Sequence, residues 1–132
     1  MRWLGRAASL EEAIVTRLGI RFAAVPAAPL VGVAPWRLPV SLARLAEGTL
    51  HCLRLLGTDR PDVVLVTGGY VGVPVALAAR ARHVPLAVFL PDVRPGRAVA
   101  LLARLADRIA ATTEAARTYL PDGKVVVTGY PV

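Results

Sequence analysis

At 132 residues, with 55% hydrophobic and 19% charged side chains, the chain has room for one domain around one core and is too apolar to be disordered. Its 16 basic residues outnumber 9 acidic ones, and the net charge of +7 suits an anionic membrane surface or a phosphorylated substrate. Nucleic acid is not expected as a partner, because aromatics are only 5% and no basic run is interleaved with them to form a base-stacking platform.

Residues 1–4 read as the end of a strand, and residues 1–9 lack the apolar core of a signal peptide. Residues 21–25 read as a strand closed by Pro26. Residues 26–39, interrupted by Pro26, Pro29, Pro35 and Pro39, are predicted to be an extended loop. Leu42, Leu45, Ala46, Leu50, Leu53 and Leu56 then recur at helical spacing up to Gly57, read as the C-terminal stop. Residues 62–67 form the clearest strand, introduced by Pro61 and ended by Gly68-Gly69. A helix over 74–83 follows, with Pro74 suited to its first turn. Strands at 86–90, 108–112 and 125–128 alternate with helices at 97–106 and 114–119.

Such alternation predicts an α/β, Rossmann-like parallel sheet. The unbroken apolar character of the strands implies burial on both faces. In a doubly wound sheet the first strand is central and carries the first glycine-rich loop. No such strand and loop precede Trp3, and Pro131-Val132 stops where a linker would begin, so both ends read as cut.

Cys52 stands alone, so no internal disulfide and no cysteine metal site can form. A reducing, cytoplasmic setting follows, and neither metal nor cofactor is expected. No run of ~18 uninterrupted apolar residues offers a membrane-spanning helix.

The strongest local signal is Thr67-Gly68-Gly69-Tyr70-Val71-Gly72-Val73-Pro74, between a buried strand and a helix. Glycine lets backbone approach a ligand closely, and the N–H groups and dipole of the following helix favour an anion such as pyrophosphate. The same glycines also suit a plain strand-to-helix turn with no ligand. Asp92 follows a strand's carboxyl end, where α/β sheets build their sites, and is the candidate general base. The alternative for Asp92 is a turn aspartate held by its own backbone. His51 lies in an apolar helix and His83 at a helix end, both read as structural. No Ser/His/Asp arrangement or metal-ligand cluster is visible. Trp36, Arg37 and Arg44, among Leu38, Val40 and Leu42, suit the interface of an anionic bilayer, and the alternative is that this segment packs onto the sheet like any α/β helix.

Gly68-Gly69-Tyr70-Val71-Gly72-Val73-Pro74 resembles the second glycine-rich loop of the MurG family, which adds N-acetylglucosamine to a lipid-diphosphate-linked muramyl-pentapeptide. Trp3-Leu4-Gly5, Gly19-Ile20, Arg60-Pro61-Asp62-Val63-Val64 and Thr128-Gly129-Tyr130-Pro131-Val132 keep that family's order, so the likeness covers essentially the whole chain. The resemblance implies the N-terminal, acceptor-binding domain of a GT-B glycosyltransferase over residues 1–132, with the UDP-sugar held mainly by a C-terminal domain that this chain lacks. It implies that Gly68, Gly69, Tyr70 and Gly72 bind the acceptor's diphosphate, on the inner face of the plasma membrane. The chain departs from the family at Gly72-Val73, where Ser-Gly is usual, at Leu90-Pro91-Asp92-Val93, and at Leu30-Val31-Gly32-Val33. The expected role is part of a UDP-sugar-dependent hexosyltransferase, inactive alone. The rival readings are a phosphate- or nucleotide-binding module and an inactive gene fragment.

Overall fold

The computed structural model describes residues 1–30 and 32–131, so Val31 and Val132, one in the departing stretch after Leu30 and one in the terminal motif, lie outside the described residues. The elements run β1 (Arg2–Gly5), α1 (Leu10–Arg17), β2 (Arg21–Ala24), a 3-10 turn (Pro35–Arg37), α2 (Leu38–Asp59), β3 (Val64–Val66), α3 (Gly72–Ala81), β4 (Leu86–Leu90), α4 (Arg97–Leu105), β5 (Arg108–Ala111), a second 3-10 turn (Glu114–Tyr119) and β6 (Val125–Val127). β1 pairs with β2 in one parallel sheet, and β3, β4, β5 and β6 pair in that order in another. The fold is α/β, as the alternation of strands and helices implied.

The two sheets begin and end together. At the start of β1, Arg2 Nε lies 3.0 Å from Asp59 Oδ2, just ahead of β3. Beyond the other end, Arg6 Nη1 donates to Tyr70 Oη over 3.5 Å, just after β3. β1 and β3 therefore run the same way, yet no hydrogen bond joins them among the described residues.

One face of the four-stranded sheet carries the core. Val66, Val88, Ile109 and Val125 stand in register across four strands, and all are buried against residues of α2, α3 and α4. Alternate residues occupy the opposite face, and there Leu65 is 63% exposed and Val126 51% exposed. The expected burial on both faces is thus corrected for this sheet. Its second face has only partial cover, including the edge-on packing of Tyr130 on Phe89, with ring centroids 6.2 Å apart.

Boundaries also differ from expectation: β3 is shorter than 62–67, and α3 begins two residues before Pro74. The proline-rich stretch 26–39 is not extended throughout, because Pro35 and Pro39 sit in first turns, where a missing N–H costs no hydrogen bond. α2 does not stop at Gly57 but runs to Asp59, and Arg60 takes the left-handed cap at φ 44°. A Cβ on Gly57 would come within 2.7 Å of the Arg82 guanidinium, the movable end of an exposed side chain, so packing does not require glycine there. α1 had no counterpart in the expected elements.

Candidate functional site

All strands of each sheet are parallel, so their carboxyl ends gather loops on one rim: Arg6 after β1, Gly68–Val71 after β3, Asp92 after β4. Strand order runs outward in opposite senses from the gap between β1 and β3. In open α/β sheets that reversal point is where ligands bind. The glycine turn lies beside it, and Gly68 and Gly69 line a cavity of about 580 Å³ that also reaches Gly5.

Within the turn the residues have different reasons for being glycine. Gly68 has φ +118° and Gly69 φ +74°, a region that side chains disfavour. A Cβ on Gly69 would meet nothing within 4 Å, so its open side is free for a ligand. Gly72 is different. It is buried in the first turn of α3, and a Cβ there would lie 2.5 Å from Val66 Cγ1 and 3.2 Å from Leu102 Cδ1. It seats the helix on the sheet and is not an open wall of the loop.

The hydrogen bonds correct a second expectation. The Gly72 amide donates to Gly69 O over 3.3 Å, the Val73 amide donates to Tyr70 O over 3.3 Å, and Pro74 has no N–H. The start of α3 therefore has no free donors from these three residues. The amides of Gly68, Gly69, Tyr70 and Val71 have no acceptor among the described residues, so the available donors lie one step earlier, in the loop itself. Arg6 brings a guanidinium to the same rim through its bond to Tyr70. It was missed in the sequence, although it directly follows the Trp3-Leu4-Gly5 motif and belongs to the cationic surplus.

Asp92 is exposed on the loop after β4, and its carboxylate makes no hydrogen bond among the described residues, so backbone tethering does not explain it. That loop is fixed instead by Thr112 Oγ1, which donates to Pro91 O over 3.2 Å. His51 lies half-buried within α2 and His83 follows α3 at φ 55°, its amide donating to Arg80 O. Neither reaches the rim. Cys52 is fully buried in α2, and burial pushes its thiol up to about 12, so it is no nucleophile at neutral pH. Among the described residues no group of three His, Cys, Asp or Glu side chains is placed to hold a metal ion.

Trp36 is 78% exposed on the 3-10 turn beside exposed Arg37. In the first turns of α2, Val40 and Arg44 share one exposed flank, while Leu38 and Leu42 share another. These residues gather at one end of the helix rather than on one face. No helix among the described residues is long and apolar enough to cross a membrane.

The sequence model of the glycosyltransferase family 28 N-terminal domain matches residues 1–111. The chain belongs to that family. A UDP-N-acetylglucosamine--N-acetylmuramyl-(pentapeptide) pyrophosphoryl-undecaprenol N-acetylglucosamine transferase of Roseiflexus is 40% identical over 149 residues, covering 98% of this chain and 34% of the relative. The crystal structure of Acinetobacter baumannii MurG superposes with a TM-score of 0.78 at 22% identity, covering 99% of this chain and 36% of that one. A Neisseria meningitidis UDP-GlcNAc 2-epimerase has the same fold at a TM-score of 0.65 and 20% identity, covering 90% and 34%. The family 28 chain thus spans about a third of the length of these relatives. Because the fold also serves an epimerase, fold alone does not decide the chemistry.

Proposed function

We propose that residues 1–132 are the acceptor-binding part of a hexosyltransferase that moves N-acetylglucosamine from a UDP-sugar to a lipid-diphosphate acceptor. The donor would be held by a second domain outside this chain, so no turnover is expected from these residues alone. Supporting this reading, a family 28 domain places an open glycine turn at the reversal point of its strand order. The free amides of Gly68, Gly69 and Tyr70 would donate to the diphosphate oxygens, helped by Val71 and by the charge of Arg6. Gly72 would contribute by seating α3 beneath the turn. Asp92, on the neighbouring loop, is the candidate base for the acceptor hydroxyl, which must lose a proton as it attacks the sugar's anomeric carbon.

The test is an NMR titration of the chain with geranyl diphosphate, a short soluble lipid diphosphate. The amide signals of residues 68–71 should move in a saturable way, and Arg6→Ala should weaken binding about tenfold, the loss of one charge-assisted contact. Unmoved signals in a folded sample would remove the site. Equal binding by the Arg6→Ala variant would remove Arg6 from it.

The same reading places the protein in the cytoplasm, peripheral on the inner face of the plasma membrane, with Trp36, Arg37 and Arg44 in contact with anionic lipid. Surface attraction of this kind contributes about 1 kcal/mol per basic residue and is screened by salt. Charge reversal at Arg37 and Arg44 should therefore weaken co-sedimentation with phosphatidylglycerol vesicles at least tenfold, and Trp36→Ala should weaken it further. Binding that ignores both charge and salt would remove the surface from the reading.

A further inference from the structure

A second arginine on the carboxyl rim is held in place without an acidic partner. Arg94 lies on the loop between β4 and α4, and its guanidinium carbon sits 5.2 Å from the centre of the Tyr119 ring. Its Nε also donates to Tyr119 Oη over 3.1 Å. These contacts engage one face and the stem side of the guanidinium, and its two terminal NH2 groups have no acceptor among the described residues. Asp92, two positions away, forms no ion pair with it. The loop has little freedom of its own. Pro91 and Pro95 fix two of its φ angles, and Thr112 Oγ1 donates to Pro91 O over 3.2 Å. Thr112 and Tyr119 both follow β5, so both ties draw the loop toward β5 and away from the glycine turn after β3. A planar fork with four unengaged N–H bonds is thus fixed on an exposed loop, and that shape matches two oxygens of a phosphate.

Along the rim the order runs from Gly68–Val71 after β3, to Asp92 after β4, to Arg94 where it leans on the turn after β5. Sugar transfer to a lipid diphosphate has the same order of groups. The acceptor's diphosphate comes first, then the hydroxyl that loses its proton, then the donor's diphosphate across the anomeric carbon. We propose that Arg94, positioned by Tyr119, binds the departing diphosphate of the UDP-sugar donor, a role that rests on the reading of the glycine turn as the acceptor site. In the step, the acceptor oxygen bonds to the anomeric carbon and its proton passes to Asp92. The bond from that carbon to the phosphate oxygen breaks, and both of its electrons leave on the diphosphate as UDP. Negative charge therefore grows on the leaving phosphate, where a guanidinium already held in place stabilises it without reorganising. The glycine turn does not serve both diphosphates, because two such anions repel and the ties of Arg94 lead away from the turn. Tyr119 acts only through Arg94 and is a positioning residue.

The experiment follows the Arg94 Nε–H signal of the purified chain by NMR, assigned by its loss in Arg94→Lys. The chain is first saturated with geranyl diphosphate, which reads the acceptor site at residues 68–71 by itself, and UDP is then added. UDP should shift the Arg94 signal in a saturable way and leave the geranyl diphosphate bound. Uridine, which carries no phosphate, should not shift it. Arg94→Lys should weaken UDP binding about tenfold by phosphorus NMR, since an ammonium keeps the charge and loses the fork. Tyr119→Phe keeps the ring and frees the guanidinium, so UDP binding should weaken severalfold while Tm and geranyl diphosphate binding stay unchanged. An unmoved Arg94 signal, an equal shift with uridine, or undiminished UDP binding by Arg94→Lys overturns the proposal and leaves the acceptor site standing. So does a shift of the Arg94 signal by geranyl diphosphate alone, which would assign this guanidinium to the acceptor's diphosphate. Failure of the acceptor site shows at residues 68–71 and not at Arg94, so the two failures are told apart.

Discussion

Gly48→Ala should destabilise the protein by about 2 kcal/mol or more, although alanine is the better helix former by roughly 1 kcal/mol. Gly48 is buried in α2, and a Cβ there would collide with the carbonyl oxygen of Pro26 while pressing on Pro74 Cβ at 3.3 Å. The obstacle is backbone, so no rotamer change relieves it. The strand-to-helix connection must shift, and with it the contact that docks α2 on α3. Gly57→Ala in the same helix is the matched control. Its Cβ would meet the far end of an exposed arginine, which can swing away, so the helix-propensity gain should leave stability unchanged or slightly raised. Urea unfolding of the two variants should separate them by about 2 kcal/mol. Equal midpoints would mean that Gly48 does not abut the Pro26 carbonyl.

This contrast also marks what could be read from the residues in advance. The strand at 86–90 was legible as an apolar run bounded by Pro85 and Pro91, and the turn at Gly68-Gly69 because it ends the β-branched run introduced by Pro61. α1 was equally legible. Ser9 and Glu12 have capping-box spacing, and the Ser9 hydroxyl accepts from the Glu12 amide over 3.2 Å while Glu12 reaches back to the Ala8 amide at 2.7 Å. Gly48 carried no local signal, because what makes it glycine is the carbonyl of Pro26, 22 positions away in the chain. The apolar strands suggested cover on both faces, and apolarity alone cannot tell a covered face from one such as that of Leu65 and Val126. For the site, the place of the glycine turn could be read, whereas the division of labour within it could not. Which amides are free depends on two turn hydrogen bonds, and Arg6 joins the rim only because β1 ends level with β3.

That division of labour leads to the second large effect. Gly72→Val should cost on the order of 3 kcal/mol, the upper part of the range for overpacking, because its first carbon alone would stand 2.5 Å from Val66 Cγ1. Val66 and Leu102 are both buried, so neither can yield as an exposed side chain would. In the molecules that remain folded, geranyl diphosphate should bind with nearly unchanged affinity, since the Gly72 amide is already committed to Gly69 O and donates to no ligand. Gly69→Ala should behave in the opposite way. A methyl group at φ +74° costs roughly 1 kcal/mol in backbone strain and meets no neighbour, so the fold should survive. The methyl would stand on the open side of the loop, where the free amides lie, and disturbing one charge-assisted bond should weaken diphosphate binding about tenfold. Melting and titration on the same two samples decide the matter. A Gly72→Val protein of normal stability that no longer binds diphosphate would make Gly72 part of the ligand site after all, and a Gly69→Ala protein that binds normally would leave the turn a purely structural link between β3 and α3.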